Sequence, residues 1–252
     1  MTVSNYAADH IAEDPVPPSP RSEPIIIQDI AFDPDRSGLM KQLRVKEESR
    51  HAEVLDALLA EAAPIARPKA MYRVSFIEAR DEASIVVEGI TFESRVLRVN
   101  LEGTNRIFPF AVTAGRELHD WTNTKDDLLV KYYADIISES ALRVASRVLK
   151  SHLRERFALP KSSTMSPGSL ADWPIQEQRP LFALLGDPEE AVGIALTPSM
   201  LMIPSKSVSG FYFATEKSFE SCQLCSRDRC PSRRAAYDPG LYERRYRSTT
   251  DA

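Results

Sequence analysis

The run Met202-Ile203-Pro204-Ser205-Lys206-Ser207-Val208-Ser209-Gly210-Phe211-Tyr212-Phe213 sets small hydroxyl residues between a proline and an aromatic strand. Small side chains between Lys206 and Gly210 let a ligand approach the backbone closely and offer it donors and acceptors. The same composition also suits a polar loop leading into a strand over 211–213, because Ser-rich turns are common in loops. Upstream, Ser166-Pro167-Gly168-Ser169 predicts a tight turn that exposes backbone N–H groups. Asp172 is expected to cap a helix that runs through Leu185 and ends at Gly186, with Pro180 kinking or restarting it. Downstream, Cys222-x2-Cys225-x4-Cys230-Pro231 gathers all three cysteines of the chain into one short segment.

With 252 residues, 43% hydrophobic and 27% charged, the chain can bury a full core as one large domain or two small ones. A net charge of -4 gives no reason to expect a nucleic-acid partner, whose phosphates favour a basic face. No apolar run approaches the ~18 residues that cross a bilayer, and the N-terminus lacks a secretion signal, so no membrane role is expected and the cytoplasm is the expected compartment. An odd, clustered set of thiols argues against a secreted disulfide framework and for metal binding.

Residues 1–24 hold Pro15, Pro17, Pro18, Pro20 and Pro24 among acidic and small residues, which predicts a disordered tail ahead of a domain over 25–252. From Arg50, Val54, Leu55, Leu58, Leu59 and Ala62 recur at helical spacing until Pro64. Tyr72, Val74 and Phe76 then alternate with Arg73 and Ser75, the period of a half-buried strand. Further strands are predicted over 84–87, 91–93, 96–101 and 107–113, with Gly89 and Gly103 in the turns of an antiparallel meander. A helix over 125–154 is entered through a capping box at Thr124-x-x-Asp127. Its apolar stripe is Leu129, Tyr133, Ile136, Ile137, Ala141, Val144 and Val148. The predicted fold class is therefore α+β, an antiparallel sheet packed against a long helix.

The common nucleotide and hydrolase signatures are absent: no GxGxxG, phosphate-binding loop, Gly-x-Ser-x-Gly elbow or His-Glu-x-x-His pair occurs. His119 next to Asp120 is not read as a catalytic dyad, since adjacent residues seldom face one site. Tyr132-Tyr133 is read as rim and core packing.

The order of motifs Ser166-Pro167-Gly168, Asp172-Trp173-Pro174-Ile175, Leu181-Phe182, Val192-Gly193-Ile194, Leu196-Thr197-x-Ser199 and Ser207-Val208-Ser209-Gly210-x-Tyr212-Phe213 resembles the activation domain of cobalamin-dependent methionine synthase. The resemblance covers roughly residues 125–220 and extends to free-standing relatives of that domain. It implies an activation domain-like fold that binds S-adenosylmethionine and docks over the corrin of a partner. There, one-electron reduction by a donor protein is followed by methyl transfer. It places Pro167, Gly168, Ser207, Ser209, Gly210 and Tyr212 at ligand-facing positions. The family's Arg before the Pro-Gly is Thr164 here, its Tyr after the Gly is Ser169, and its later aromatic pair falls at about Glu220 and Ser221. The expectation is thus weak or absent S-adenosylmethionine binding, with any contacts coming mainly from backbone groups of the turn and from Ser207, Ser209 and Tyr212.

For the cysteines, C-x2-C on a turn lets two thiolates bind one centre, and Cys230 can close the same site. Cys222, Cys225 and Cys230 are then ligands of an iron-sulfur cluster with one open iron, or of a zinc with a fourth ligand such as His152 or a partner residue; unliganded thiols are the third alternative. The function expected is an accessory module that reactivates a corrinoid protein or cobalamin-dependent methyltransferase. The alternative is a non-catalytic zinc- or iron-sulfur-binding module that kept the fold for partner binding.

Overall fold

The computed structural model describes residues 22–159, 161–215, 219–230 and 233–247. Most of the expected tail, residues 1–21, lies outside them, as does Pro231. The elements run β1 (Ile25–Ile27), α1 (Arg36–Leu43), α2 (Arg50–Ile65), β2 (Lys69–Tyr72), β3 (Ser75–Arg80), β4 (Ser84–Val87), β5 (Ile90–Glu93), α3 (Arg95–Asn100) and β6 (Arg106–Thr113). They continue with α4 (Arg116–Asn123), α5 (Leu128–Phe157), β7 (Ser162–Met165), α6 (Gln178–Leu185), α7 (Pro188–Val192), β8 (Ala195–Leu196), β9 (Met202–Ile203), β10 (Ser207–Ala214) and α8 (Leu241–Arg245).

β6 is the central strand. One edge of it pairs antiparallel with β10 over Ser207↔Thr113 to Phe213↔Ile107, and β10 pairs in turn with β7. The other edge pairs first with β2 and then with β3, from which β4 and β5 continue as the expected meander. The neighbour changes at Pro109. Proline has no N–H to give the ladder, and there Arg73 donates its own N–H to the Pro109 carbonyl (3.0 Å) as the chain bends from β2 into β3. That bend undoes the alternation expected over 72–76. Arg73 and Ser75 are buried, whereas Phe76 is 55% exposed.

Successive side chains of a strand point to opposite faces. Tyr72, Phe108, Phe110, Val112 and Tyr212 pack toward Ala145, Leu149 and Leu153 of α5. Met71, Ile107, Ala111, Phe211 and Phe213 pack the other way, against Trp173, Leu181, Leu184 and Val192. A second cluster on the α5 side joins α1, α2 and α4 to Tyr133, Ile136, Ile137 and Ala141. The architecture is thus the expected α+β arrangement with its antiparallel sheet on a long helix, and short helices close the opposite face.

Local caps explain where the helices begin. Ser49 caps α2 by accepting the N–H of Ala52 (3.3 Å), and Pro64 sits inside the last turn without ending it. Thr124 belongs to the end of α4 and donates its hydroxyl to the Trp121 carbonyl (2.7 Å). The cap of α5 is instead Asp127, whose carboxylate accepts from Leu129 and Val130 (both 2.9 Å). Arg154 and Arg156 lie in the last turn, where the helix dipole favours cations. The strand expected over 96–101 is the helix α3. Ser94 accepts the N–H of Leu97 (2.9 Å), and Asp172 from far along the chain accepts the N–H of Val96 (2.9 Å) and the Ser94 hydroxyl. Asp172 therefore caps α3 rather than its own segment, which enters α6 through a 3-10 turn at Ile175–Glu177. Pro180 falls in the first turn of α6, where its missing N–H is tolerated. Among the described residues, no helix is long and apolar enough to cross a membrane.

Candidate functional site

β7 leaves its ladder with β10 after Met165, which pairs with Phe211. The Pro-Gly turn therefore starts opposite Gly210. A Cβ on Gly210 would sit 2.1 Å from the Met165 carbonyl oxygen and 2.9 Å from Ser166 Oγ, so only glycine admits this approach. Within the turn, Ser169 donates its N–H to the Ser166 carbonyl (3.2 Å), and Gly168, at φ 79°, donates its N–H to Trp173 (2.8 Å). Both N–H groups expected to face solvent are thus engaged internally, because the chain doubles back through a Leu170–Trp173 bridge. Gly168 and Ser169 remain exposed and Pro167 is buried.

Ser207, Ser209, Gly210 and Tyr212 lie on β10 itself, not in a loop before it. Ser207 donates its hydroxyl to Thr113 Oγ1 (2.9 Å), and buried Ser209 donates to Gln178 Oε1 (2.8 Å) on α6. Tyr212 is 3% exposed, shares a hydrogen bond with the Ser162 hydroxyl and faces the α5 side. The fold therefore sets Met165 and Ser166, where the Pro-Gly turn begins, against Gly210, while Gly168 packs near Ile175. It also separates the Tyr212 side chain from those of Ser207 and Ser209 by the thickness of the sheet.

A cleft of about 310 Å³ opens where β6 ends and β10 begins, lined among others by His119, Lys131, Tyr132, Asp135, Ser205 and Lys206. Ala114 donates its N–H to the Lys206 carbonyl (2.9 Å), and Lys206 Nζ lies 2.8 Å from Asp135 Oδ2. The imidazole of His119 pairs with the Asn123 amide (3.3 Å) rather than with Asp120. Tyr133 is core and Tyr132 is rim, half exposed beside Leu128, which is 85% exposed. This cleft was not anticipated. Its lining comes from three separate segments, so His119, Tyr132 and Lys206, each noticed singly in the sequence, gave no sign that they share one cleft.

The cysteine segment begins with a 3-10 turn at Ser221–Gln223. Arg233 reaches back and donates to the carbonyls of Cys222 (3.1 Å), Cys225 (3.3 Å) and Ala235 (3.3 Å), and to that of Arg227. Cys222 Sγ accepts the backbone N–H of Arg234 (3.5 Å). That N–H, reinforced by the Arg234 charge, holds the Cys222 thiol below its ordinary value. Arg234 also pairs with Glu220 (2.9 Å). Among the described residues, no three His, Cys, Asp or Glu side chains converge as a metal site. The described residues thus do not bring Cys222, Cys225 and Cys230 together as the expected three-sulfur site. In its place the loop closes around the Arg233 guanidinium, and the suggested fourth ligand His152 bonds the Tyr72 hydroxyl (2.9 Å) on the α5 side of the sheet.

Residues 161–233 match the family model described as "Vitamin B12 dependent methionine synthase, activation domain". A search of the curated proteins gave no match. Among solved structures, the chain is similar to the MetH reactivation domain crystallised with AdoHcy, with a TM-score of 0.56 and 17% identity over 79% of this chain and 81% of that one. The family model thus matches the segment that forms β7, the Pro-Gly turn and β10, and the chain as a whole has the fold of the MetH reactivation domain.

Proposed function

We propose that the protein is a reactivation module that acts on a separate corrinoid protein, a methionine synthase or another cobalamin-dependent methyltransferase, with the electron supplied by a donor protein. The observation that carries this reading is the packing of the start of the Pro-Gly turn against Gly210 inside the segment that matches the family model. The AdoHcy held by the structural relative supports a ligand of the S-adenosyl class here.

The residues present offer that ligand the exposed surface of the turn rather than free backbone donors, since the N–H groups of Gly168 and Ser169 are bonded internally. Gly168 and Ser169 are exposed at the turn, whereas the hydroxyls of Ser207, Ser209 and Tyr212 are already bonded within the protein. S-adenosylmethionine, when bound, supplies the methyl group. The chain's part is to orient it from the turn and to cover the corrin face of the partner. With Thr164 where the family has an Arg, a charge-assisted bond of ~1.5–3 kcal/mol is lost, and binding weakens by roughly one to two orders of magnitude.

The test is to supply a corrinoid methyltransferase in its inactive Co(II) state with reductant and S-adenosylmethionine, with and without this protein, and to follow the Co(II) electron-spin signal. Faster loss of the signal with the protein, accompanied by methylation of the corrinoid, is the expected result. An unchanged rate together with tight binding to the partner would favour a docking module without reactivating activity.

A further inference from the structure

Two of the three thiols are built into one turn. Cys225 donates its N–H to the Cys222 carbonyl (3.3 Å), an i to i+3 bond of the kind that keeps the two Cα atoms within about 7 Å. This overlaps the ~4.4–6.8 Å spanned by disulfide-bonded pairs. Arg233 fixes both ends of the turn, donating from one planar guanidinium to the carbonyls of Cys222 and Cys225. All three cysteines are free and half-buried, so solvent reaches them. Cys222 Sγ accepts the Arg234 N–H at 3.5 Å, and a donor so placed stabilises the thiolate that exchange requires.

We propose that Cys222 and Cys225 form a thiol–disulfide exchange site that reacts with disulfides of the glutathione class, Cys222 attacking first and Cys225 resolving. The Cys222 thiolate attacks one sulfur of the incoming disulfide, whose S–S bond breaks and releases one thiolate. Cys225, after losing its proton, then attacks Cys222 Sγ, and the second thiolate leaves with the electron pair of the mixed disulfide. Two protein thiols are oxidised to one disulfide, and the incoming disulfide is reduced to two thiols. The proposal stands apart from the corrinoid reading and is tested without any corrinoid.

The full chain is reduced, freed of reductant without oxygen, equilibrated in glutathione buffers of graded oxidation, alkylated and digested with trypsin. Cleavage after Lys217 and Arg227 leaves Cys222 and Cys225 in one peptide and Cys230 in another. The expected result is that oxidation converts the first peptide to an unalkylated form lighter by two hydrogen atoms, while Cys230 stays alkylated. Cys225→Ser is expected to stop at glutathione carried on Cys222, and Cys230→Ser to leave the bridge unchanged. The proposal is overturned by equal alkylation of all three cysteines in the most oxidising buffer, by a bridge that includes Cys230, by glutathione retained on Cys230 in C225S, or by a stoichiometric metal that protects the thiols.

Discussion

The two faces of the central sheet are closed in opposite ways. On one side lies α5, a single 30-residue amphipathic helix joined by α1, α2 and α4. On the other side short elements, α3, α6 and α7, surround Trp173 and Phe211, and the C-terminal Tyr246 returns to bond Asn100 (3.1 Å). A long helix carries its own hydrogen bonds and needs only an apolar stripe to dock. Helices of five to eight residues are marginal alone, so each depends on groups distant in sequence. The face that bears the family segment is thus the one built from non-local contacts.

The hardest test of that contrast is Phe211→Ala. Phe211 is fully buried and stacks within 4.9 Å of Phe92 and 5.3 Å of Trp173. Its truncation is expected to cost about 3–5 kcal/mol in denaturant unfolding. A cost below about 1 kcal/mol would mean that the short-helix face is a lid and not a core.

Gly210→Ala sharpens the comparison within the sheet. The added carbon meets backbone oxygen on β7, so a destabilisation of about 1–3 kcal/mol is expected, with faster amide exchange at Thr164 and weaker S-adenosylmethionine binding by calorimetry. If β7 exchange were unchanged, the turn would not depend on Gly210.

Asp172→Ala removes the remote cap of α3 and is expected to cost about 0.5–2 kcal/mol, visible as a lower melting temperature. Asp172→Asn, which keeps an acceptor, should recover part of it. Equal losses in the two variants would point to charge rather than capping.

The smallest effect expected is one of reactivity. Because the backbone N–H of Arg234 is the leading cause of the lowered Cys222 thiol, Arg234→Ala should leave most of the alkylation-versus-pH profile of Cys222 in place. Arg234→Pro, which removes the donor, should shift it toward higher pH. Identical profiles for the two variants would assign the effect to the guanidinium instead.

Sequence periodicity carried part of the α5 face: Tyr133, Ile136, Ile137 and Ala141 are buried as their spacing implied, but Leu129 is 42% exposed, and past Ala141 the buried positions are Ala145, Leu149 and Leu153 rather than Val144 and Val148. The start of α5 moved from Thr124 to Asp127 because Thr124 was already used to end α4. The opposite face was less legible. Val96, Val99 and Leu101 suit a strand, and the cap that makes α3 a helix lies 76 residues away at Asp172. The same holds for the site. Motif order placed the turn and β10 together, but the side to which Tyr212 points depends on register, which no motif encodes. Cysteine spacing showed a cluster, yet it could not show that a guanidinium would hold the loop.

The ladder between β6 and β10 joins residues at least 94 positions apart along the chain, the separation of Thr113 and Ser207. Closing so long a loop precedes any gain from the contacts it makes, so this pairing forms late in folding, after α5 and the β3–β5 meander have local partners. During synthesis, β6 emerges with one edge open and stays so until roughly a hundred further residues have left the ribosome. Until then that edge is a template for pairing with another chain. Proline at position 109 does not protect it, since the carbonyl and missing N–H of Pro109 face the other edge, toward Arg73. The newly made protein is therefore most exposed to misassociation in the interval before β10 arrives.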